Sequence, residues 1–159
     1  MSEGARLGSE GDLVDIDWIL EIVLAEQASM RGGELFGRRE VVNLSEDIRR
    51  ALADRQGTTS VVVGTYDDVV LGVALVEIEQ LVDGGLLGRL GALAVHPEAR
   101  KAGIGEAMMQ HVLEQLRSAG CLGVDATALP GDRHTKNFFE SFGLKARMLT
   151  VHLSLSASE

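Results

Sequence analysis

The chain has one cysteine, Cys121, which excludes an internal disulfide, and no Cys/His cluster has the spacing of a zinc site. No metal is therefore expected. No apolar run approaches the ~18 residues of a membrane span, and the N-terminus lacks the charged, apolar and small-residue blocks of a secretory leader. A reducing cytoplasm without membrane attachment fits these absences. Positive charge is also scarce, since 15 Lys and Arg against 24 Asp and Glu give a net charge of −9. Binding to a phosphate backbone needs a concentrated basic surface, so no nucleic acid is expected. Two phosphate-loop signatures are missing as well. There is neither GxxxxGK[ST] nor GxGxxG followed by an acidic residue about 20 positions on.

The 159 residues, 45% hydrophobic and 25% charged, are enough for one domain spanning 1–159 with a sizeable core. The stretch that organises the rest is Leu90 to Ala107, LGALAVHPEARKAGIGEA. Leu90, Ala92, Leu93, Ala94 and Val95 are apolar on both faces, as in a strand buried within a sheet, and Pro97 ends the run. From Ile104 apolar residues recur at helical spacing through Met108, Val112 and Leu116. Gly103 and Gly105 therefore lie at a helix N-terminus, where unpaired N–H groups and the positive end of the macrodipole attract a pyrophosphate. Arg100 and Lys101 add charge to that opening.

This RxxGxG pattern follows a strand ending Leu93-Ala94-Val95, precedes an amphipathic helix, and is joined further on by Asn-Phe-Phe-Glu-Ser-Phe-Gly-Leu at 137–144. Together these features resemble the acetyl-CoA-binding motif of the GNAT superfamily of N-acetyltransferases, over roughly Ser60 to Ser154. The resemblance implies an α/β (α+β) fold whose central sheet is mixed, mainly antiparallel and flanked by helices. It also implies acetyl-CoA as acyl donor, an amine acceptor, and cofactor contacts from Leu93, Ala94, Val95, Arg100, Lys101, Ala102, Gly103, Ile104 and Gly105. The family's last helix usually begins with an Asn that contacts the pantetheine arm, and carries a Tyr seven residues later that can protonate the departing thiolate. Asp132 and Phe139 stand there. An ionised Asp accepts but does not donate a hydrogen bond, and Phe139 has no proton to give.

The remaining elements can be read in order. Residues 1–11 are rich in Gly, Ser and Glu and read as a loose tail, with room for a short strand near Ala5 to Leu7. Ile16, Ile19, Leu20, Val23 and Leu24 form one stripe of a helix to about Ser29, bordered by Trp18. Met30 to Val42 has three glycines and no period, and reads as a long flexible loop. By resemblance that loop helps to wall the acceptor site, with Glu34 and Phe36 as lining and Arg31, Arg38 and Arg39 as partners for an acceptor carboxylate. Leu44, Ile48 and Leu52 give a short helix closed by Gly57. Ser60 to Tyr66 and Val69 to Leu81 form a hairpin about Asp67-Asp68, and a strand from Leu86 to Val95 completes a meander. A helix from Gly105 to Ala119 crosses to a parallel strand at Leu122 to Ala126. A helix over His134 to Phe142 and a final alternating strand, with Arg147, Leu149, Val151, Leu153 and Leu155 on one face, end the chain.

Acetyl transfer to an amine of pKa ~10.4 requires a proton acceptor. Glu77 and Glu79, two apart on one face of the third strand with Val73 and Leu75, are the candidates. Backbone N–H groups around Val95 would polarise the carbonyl, as the resemblance implies. His96 reads as a structural turn, His134 as a neighbour of the cofactor arm, and His111 and His152 as surface residues. Met108, Met109 and Cys121 read as packing residues. The negative net charge favours a cationic acceptor such as a primary amine. Two functions follow: an acetyl-CoA-dependent N-acetyltransferase acting on a primary amine of a small molecule or peptide, or a noncatalytic acyl-CoA-binding sensor of the same fold. A homodimer stays open.

Overall fold

The computed structural model describes residues 2–54 and 57–156. Its elements are strands β1 (Glu3–Leu7), β2 (Thr59–Tyr66), β3 (Val69–Gln80), β4 (Leu86–Val95) and β5 (Gly123–Ala126), with helices α1 (Leu13–Ala28), α2 (Gly33–Arg39), α3 (Leu44–Ala53), α4 (Ile104–Ser118) and α5 (Arg133–Ser141). The sheet runs β1-β2-β3-β4-β5. The first three pairings are antiparallel and β4–β5 is parallel. This is the mixed, mainly antiparallel α/β architecture expected from the sequence.

Alternation along the strands divides the core in two. Val61, Val63, Val73 and Leu75 point to one face, where they pack with Ile16, Ile19, Leu20 and Val23 of α1 and with Ile48 and Leu52 of α3. Val62, Ala74 and Val76 point to the other, against Ile104, Met108, Met109, Val112 and Leu116 of α4 and Phe139 of α5. Helix α4 lies unusually close to the sheet. A Cβ on Gly64 would stand 2.5 Å from Ile104 Cγ2, one on Gly72 2.7 Å from Met108 Cε, and one on Gly88 2.6 Å from Leu116 Cδ1. These strand glycines leave the room in which α4 sits.

Four expectations change. Most of the stretch read as a loose tail is ordered: Glu3–Leu7 pairs with β2 from Tyr66 back to Val62. Arg6 and Asp12 fasten it, with Nη1–Oδ2 at 2.8 Å and Nη2–Oδ1 at 2.9 Å. The flexible loop of 30–42 contains α2, entered through Gly32 in the left-handed region (φ 85°), a start that apolar periodicity does not reveal. The final strand does not form. Among the described residues after α5 none has a ladder partner, and Met148, Leu149, Val151, Leu153 and Leu155 are exposed. Alternation alone is insufficient there, since β5 offers only four residues to pair with. The helix expected to close at Gly57 ends at Ala53, and residues 55–56 lie outside the described part.

Candidate active site

The site begins where the sheet opens. Pairing of β4 with β5 runs from Leu87↔Gly123 to Leu90↔Ala126 and then stops, while β4 stays paired with β3 to Val95↔Gly72. The register explains the separation. Leu75 is opposite Ala92 and Val76 is opposite Leu90, so Gly91 is an extra residue in β4, a bulge of the kind that bends a strand and re-aims its side chains. Accordingly Leu90 belongs to the α4-side core, whereas Ala92 and Ala94 pack on the α1 side.

Beyond the bulge one edge of β4 has lost its neighbour. The His96 N–H donates to the Leu71 carbonyl at 2.8 Å. Strand alternation then turns the N–H groups of Leu93 and Val95 to the opposite edge, into the space that β5 has left. A narrow cleft lies there, with Leu20 and Leu24 of α1, Phe36 of α2, Leu90 to Ala94 of β4, and Thr127, Thr135 and Phe139 among its walls. The Leu93 and Val95 side chains face the α4 core, so their part in a ligand site is through the backbone.

The Gly-spaced opening lies beside this cleft. Gly103 caps α4 with φ 82°, a conformation that glycine adopts without strain. Gly105 is covered by Phe138, whose Cε1 would be 3.2 Å from an added Cβ. Ile104 is fully buried and Ala102 half-buried, so these two also contribute main chain and not side chain. Lys101 is exposed. Arg100 is committed elsewhere: Nη1 is 3.2 Å from Glu26 Oε2 and Nη2 2.5 Å from Oε1. The charge expected from Arg100 is thus largely balanced in place, through a residue of α1 that sequence reasoning did not single out. Asp132 is buried and caps α5, accepting from Thr135 N at 3.1 Å and Thr135 Oγ1 at 2.7 Å. Phe139, about two turns on, stands in the cleft wall.

The Gly-capped start of α4 is the one read from the RxxGxG spacing, and the comparisons agree with the resemblance. The model of the Acetyltransferase (GNAT) family matches residues 26–144. The chain belongs to this family. It is an acyltransferase by that membership. No curated protein matches it. Among solved structures it is similar to an acetyltransferase of Trypanosoma brucei at 23% identity and TM-score 0.67, covering 97% of this chain and 100% of that one. It is also similar to an aminoglycoside acetyltransferase from an uncultured soil metagenomic sample, at 18% identity and TM-score 0.68, covering 97% and 95% of the two chains. A third is ribosomal-protein-alanine N-acetyltransferase of Brucella melitensis, at 15% identity and TM-score 0.68, covering 98% and 100%. At these identities the likeness is one of fold.

The GNAT frame separates the candidate catalytic and acceptor residues. Glu77 stands opposite Arg89, with Oε2 2.8 Å from Nη2 and 3.2 Å from Nε. Arg89 stands opposite Asp125, and Arg147 in turn donates through Nε to Asp125 Oδ1 at 2.8 Å. Charges of alternating sign therefore cross the sheet one residue before the strands part. The Arg147 guanidinium holds the Asp125 carboxyl below its ordinary range. Glu79 is exposed near the end of β3. Of the residues expected to line an acceptor site, Phe36 is in the wall of the cleft and of a second hollow beside it. Glu34 and Arg38 instead pair with each other at 3.6 Å on the solvent side of α2, both more than 70% exposed. Helical spacing i, i+4 brings them together there.

His96 has the structural role expected of it, its Nδ1 accepting from Glu98 N at 3.2 Å while its ring stacks on Trp18 with centroids 4.6 Å apart. His111 departs from its surface reading, because its Nδ1 is buried without a partner among the described residues. It lies along α4 near Gln115, whose Nε2 donates to Ser60 Oγ at 2.6 Å. His134 and His152 are exposed. Among the described residues no group of three or more His, Cys, Asp or Glu is arranged to hold a metal, and no helix is long and apolar enough to cross a membrane.

Proposed function

We propose that the protein is an acetyl-CoA-dependent N-acetyltransferase that acts on a primary amine of a small molecule or peptide. The observation that carries this reading is the parting of β4 from β5 immediately after Leu90↔Ala126, directly beside the glycine-capped start of α4. Acetyl-CoA supplies the activated acyl group. The chain's own parts fit that substrate: N–H groups at the α4 N-terminus for the pyrophosphate, the cleft between strands for the arm, and the Leu93 and Val95 N–H groups for the thioester oxygen. The amine nitrogen attacks the carbonyl carbon, a C–N bond forms, and the C–S bond breaks with its electron pair leaving on sulfur. A CoA thiolate of pKa ~8.5 is a tolerable leaving group, so Phe139 in place of a proton donor slows the step without abolishing it. Glu77 and Glu79 of β3 are the candidate proton acceptors, with water relaying the amine proton to them.

The test combines calorimetric binding of acetyl-CoA with thiol release in the presence of an amine panel. Gly103 is a poor place to perturb, since any side chain there adopts φ 82° and its Cβ meets Glu3 Cγ at 3.3 Å. Lys101→Glu avoids both problems. It is expected to weaken acetyl-CoA binding by about tenfold, the effect of placing like charge beside the phosphates. Unaltered affinity in Lys101→Glu, or binding with no amine ever acetylated, would overturn the proposal.

A further inference from the structure

Resting on the reading of the chain as an N-acetyltransferase, we infer that its acceptor is a primary amine carried on an apolar body, which lies between α1 and α2 against Phe36. Two hollows meet at that ring. One is the cleft at the strand opening; the other is enclosed by the end of α1, by α2 and by the segment that follows, and both include Leu24, Gln27, Phe36 and Val41. The second hollow thus adjoins the first along these shared side chains. Its mouth is apolar too, for Val42 is part of its wall and largely exposed.

The decisive feature is charge. Among the described residues no Asp, Glu, Lys or Arg contributes to the wall of either hollow, although the whole sequence carries 39 such residues, being 15 basic plus 24 acidic. Glu34 and Arg38, the charged side chains of α2 closest in sequence to Phe36, are turned outward and paired. A polycationic acceptor would leave ammonium groups desolvated with no counter-charge, and a sugar phosphate would leave its anion so. An alkyl or aryl body instead exchanges water for Phe36, Leu24 and Val41. The same surroundings favour the neutral amine over the ammonium ion, because desolvation lowers the pKa of an amine. The nucleophilic form is then available although the wall holds no carboxylate among the described residues.

The experiment measures kcat/KM with acetyl-CoA for propylamine, hexylamine, 2-phenylethylamine, ethanolamine and putrescine, in the wild type and in Gly37→Asp. Gly37 is in the wall of the outer hollow, and an added Cβ would have no atom within 4 Å, so the variant folds while placing a charge in the mouth. The wild type is expected to gain roughly fourfold per added methylene from propylamine to hexylamine, and to prefer hexylamine and 2-phenylethylamine to ethanolamine and putrescine. Gly37→Asp is expected to raise KM for hexylamine about tenfold with acetyl-CoA affinity unchanged, and to improve putrescine, whose second ammonium meets the new carboxylate. Ethanolamine or putrescine outperforming hexylamine in the wild type would overturn the inference and leave the transferase reading standing. So would a preference for octanoyl-CoA over acetyl-CoA that Gly37→Asp removes, since the outer hollow would then take the acyl chain. Failure of every amine with every donor is a different result and removes the transferase reading itself.

Discussion

A carboxylate whose side chain is only 10% exposed is stable in the ionised form when donors surround it, and Asp12 has four. Both terminal guanidinium nitrogens of Arg6, the Ser9 N–H at 2.8 Å and the Ser9 hydroxyl at 3.2 Å donate to it. The Arg6 hydrogen bonds contribute most, and the Asp12 carboxyl is held at about 2 instead of 3.8. A depressed folded-state pKa contributes stability above the unfolded value that is lost as pH falls through the folded one. Arg6 is half exposed, so solvent screening reduces the effect to about 1–2 kcal/mol. Urea titrations of the wild type and Asp12→Asn are therefore expected to differ by that amount at pH 7, with the gap closing between pH ~4 and ~2. A gap that persisted at pH 2 would assign the effect to packing. The pairing is not legible in the sequence, because Arg6 and Asp12 meet only when β1 has docked on β2. Asp132 differs: Asp132-Arg133-His134-Thr135 is a local cap pattern, so its place at the helix start was readable and only its engagement with Thr135 was not.

At the scale of elements, period and punctuation located nearly everything that contains its own signal. The hairpin about Asp67-Asp68, both at positive φ, and the helix after Gly103 follow from short-range rules. The glycines inside strands were visible but mute. Gly64, Gly72 and Gly88 have meaning only once α4 lies across them, and Gly91 only once the register shows two residues of β4 spanning one step of β3. Gly64→Ala tests the first point. A methyl group 2.5 Å from Ile104 Cγ2 and 2.8 Å from Met108 Cγ forces α4 outward, at a cost of about 1–3 kcal/mol. Because Ile104 begins α4, the displacement carries the helix N-terminus with it. The variant is expected to lose both thermal stability and acetyl-CoA affinity, whereas a stability loss with affinity intact would mean that the helix start does not hold the phosphates.

For the whole molecule, what the sequence could not supply was which surfaces meet. The Arg100–Glu26 pair spans 74 positions, and the proposed acceptor wall, uncharged among the described residues, is assembled from α1, α2, β4 and α5, none of which is uncharged by itself. The C-terminal segment shows the converse, a pattern with no surface to use it. Its alternation reads as a strand, yet Val151 and Leu155 are 90% and 92% exposed, and its recorded tie to the sheet is Arg147 on Asp125. An apolar side chain contributes to folding only through area removed from water. Deleting residues 148–156 is accordingly expected to change the free energy of unfolding by no more than about 0.5 kcal/mol, the range of surface substitutions. Exposed apolar surface on this scale does promote association between copies, so the same deletion is expected to lower light scattering as protein concentration rises. A loss of several kcal/mol in the shortened chain would show that the segment does bury its apolar face in solution, and unchanged scattering would show that it is not the source of self-association. The deletion keeps Arg147 and with it the charge ladder from Glu77 to Asp125, so acetyl transfer is expected to be unaffected and serves as the internal control.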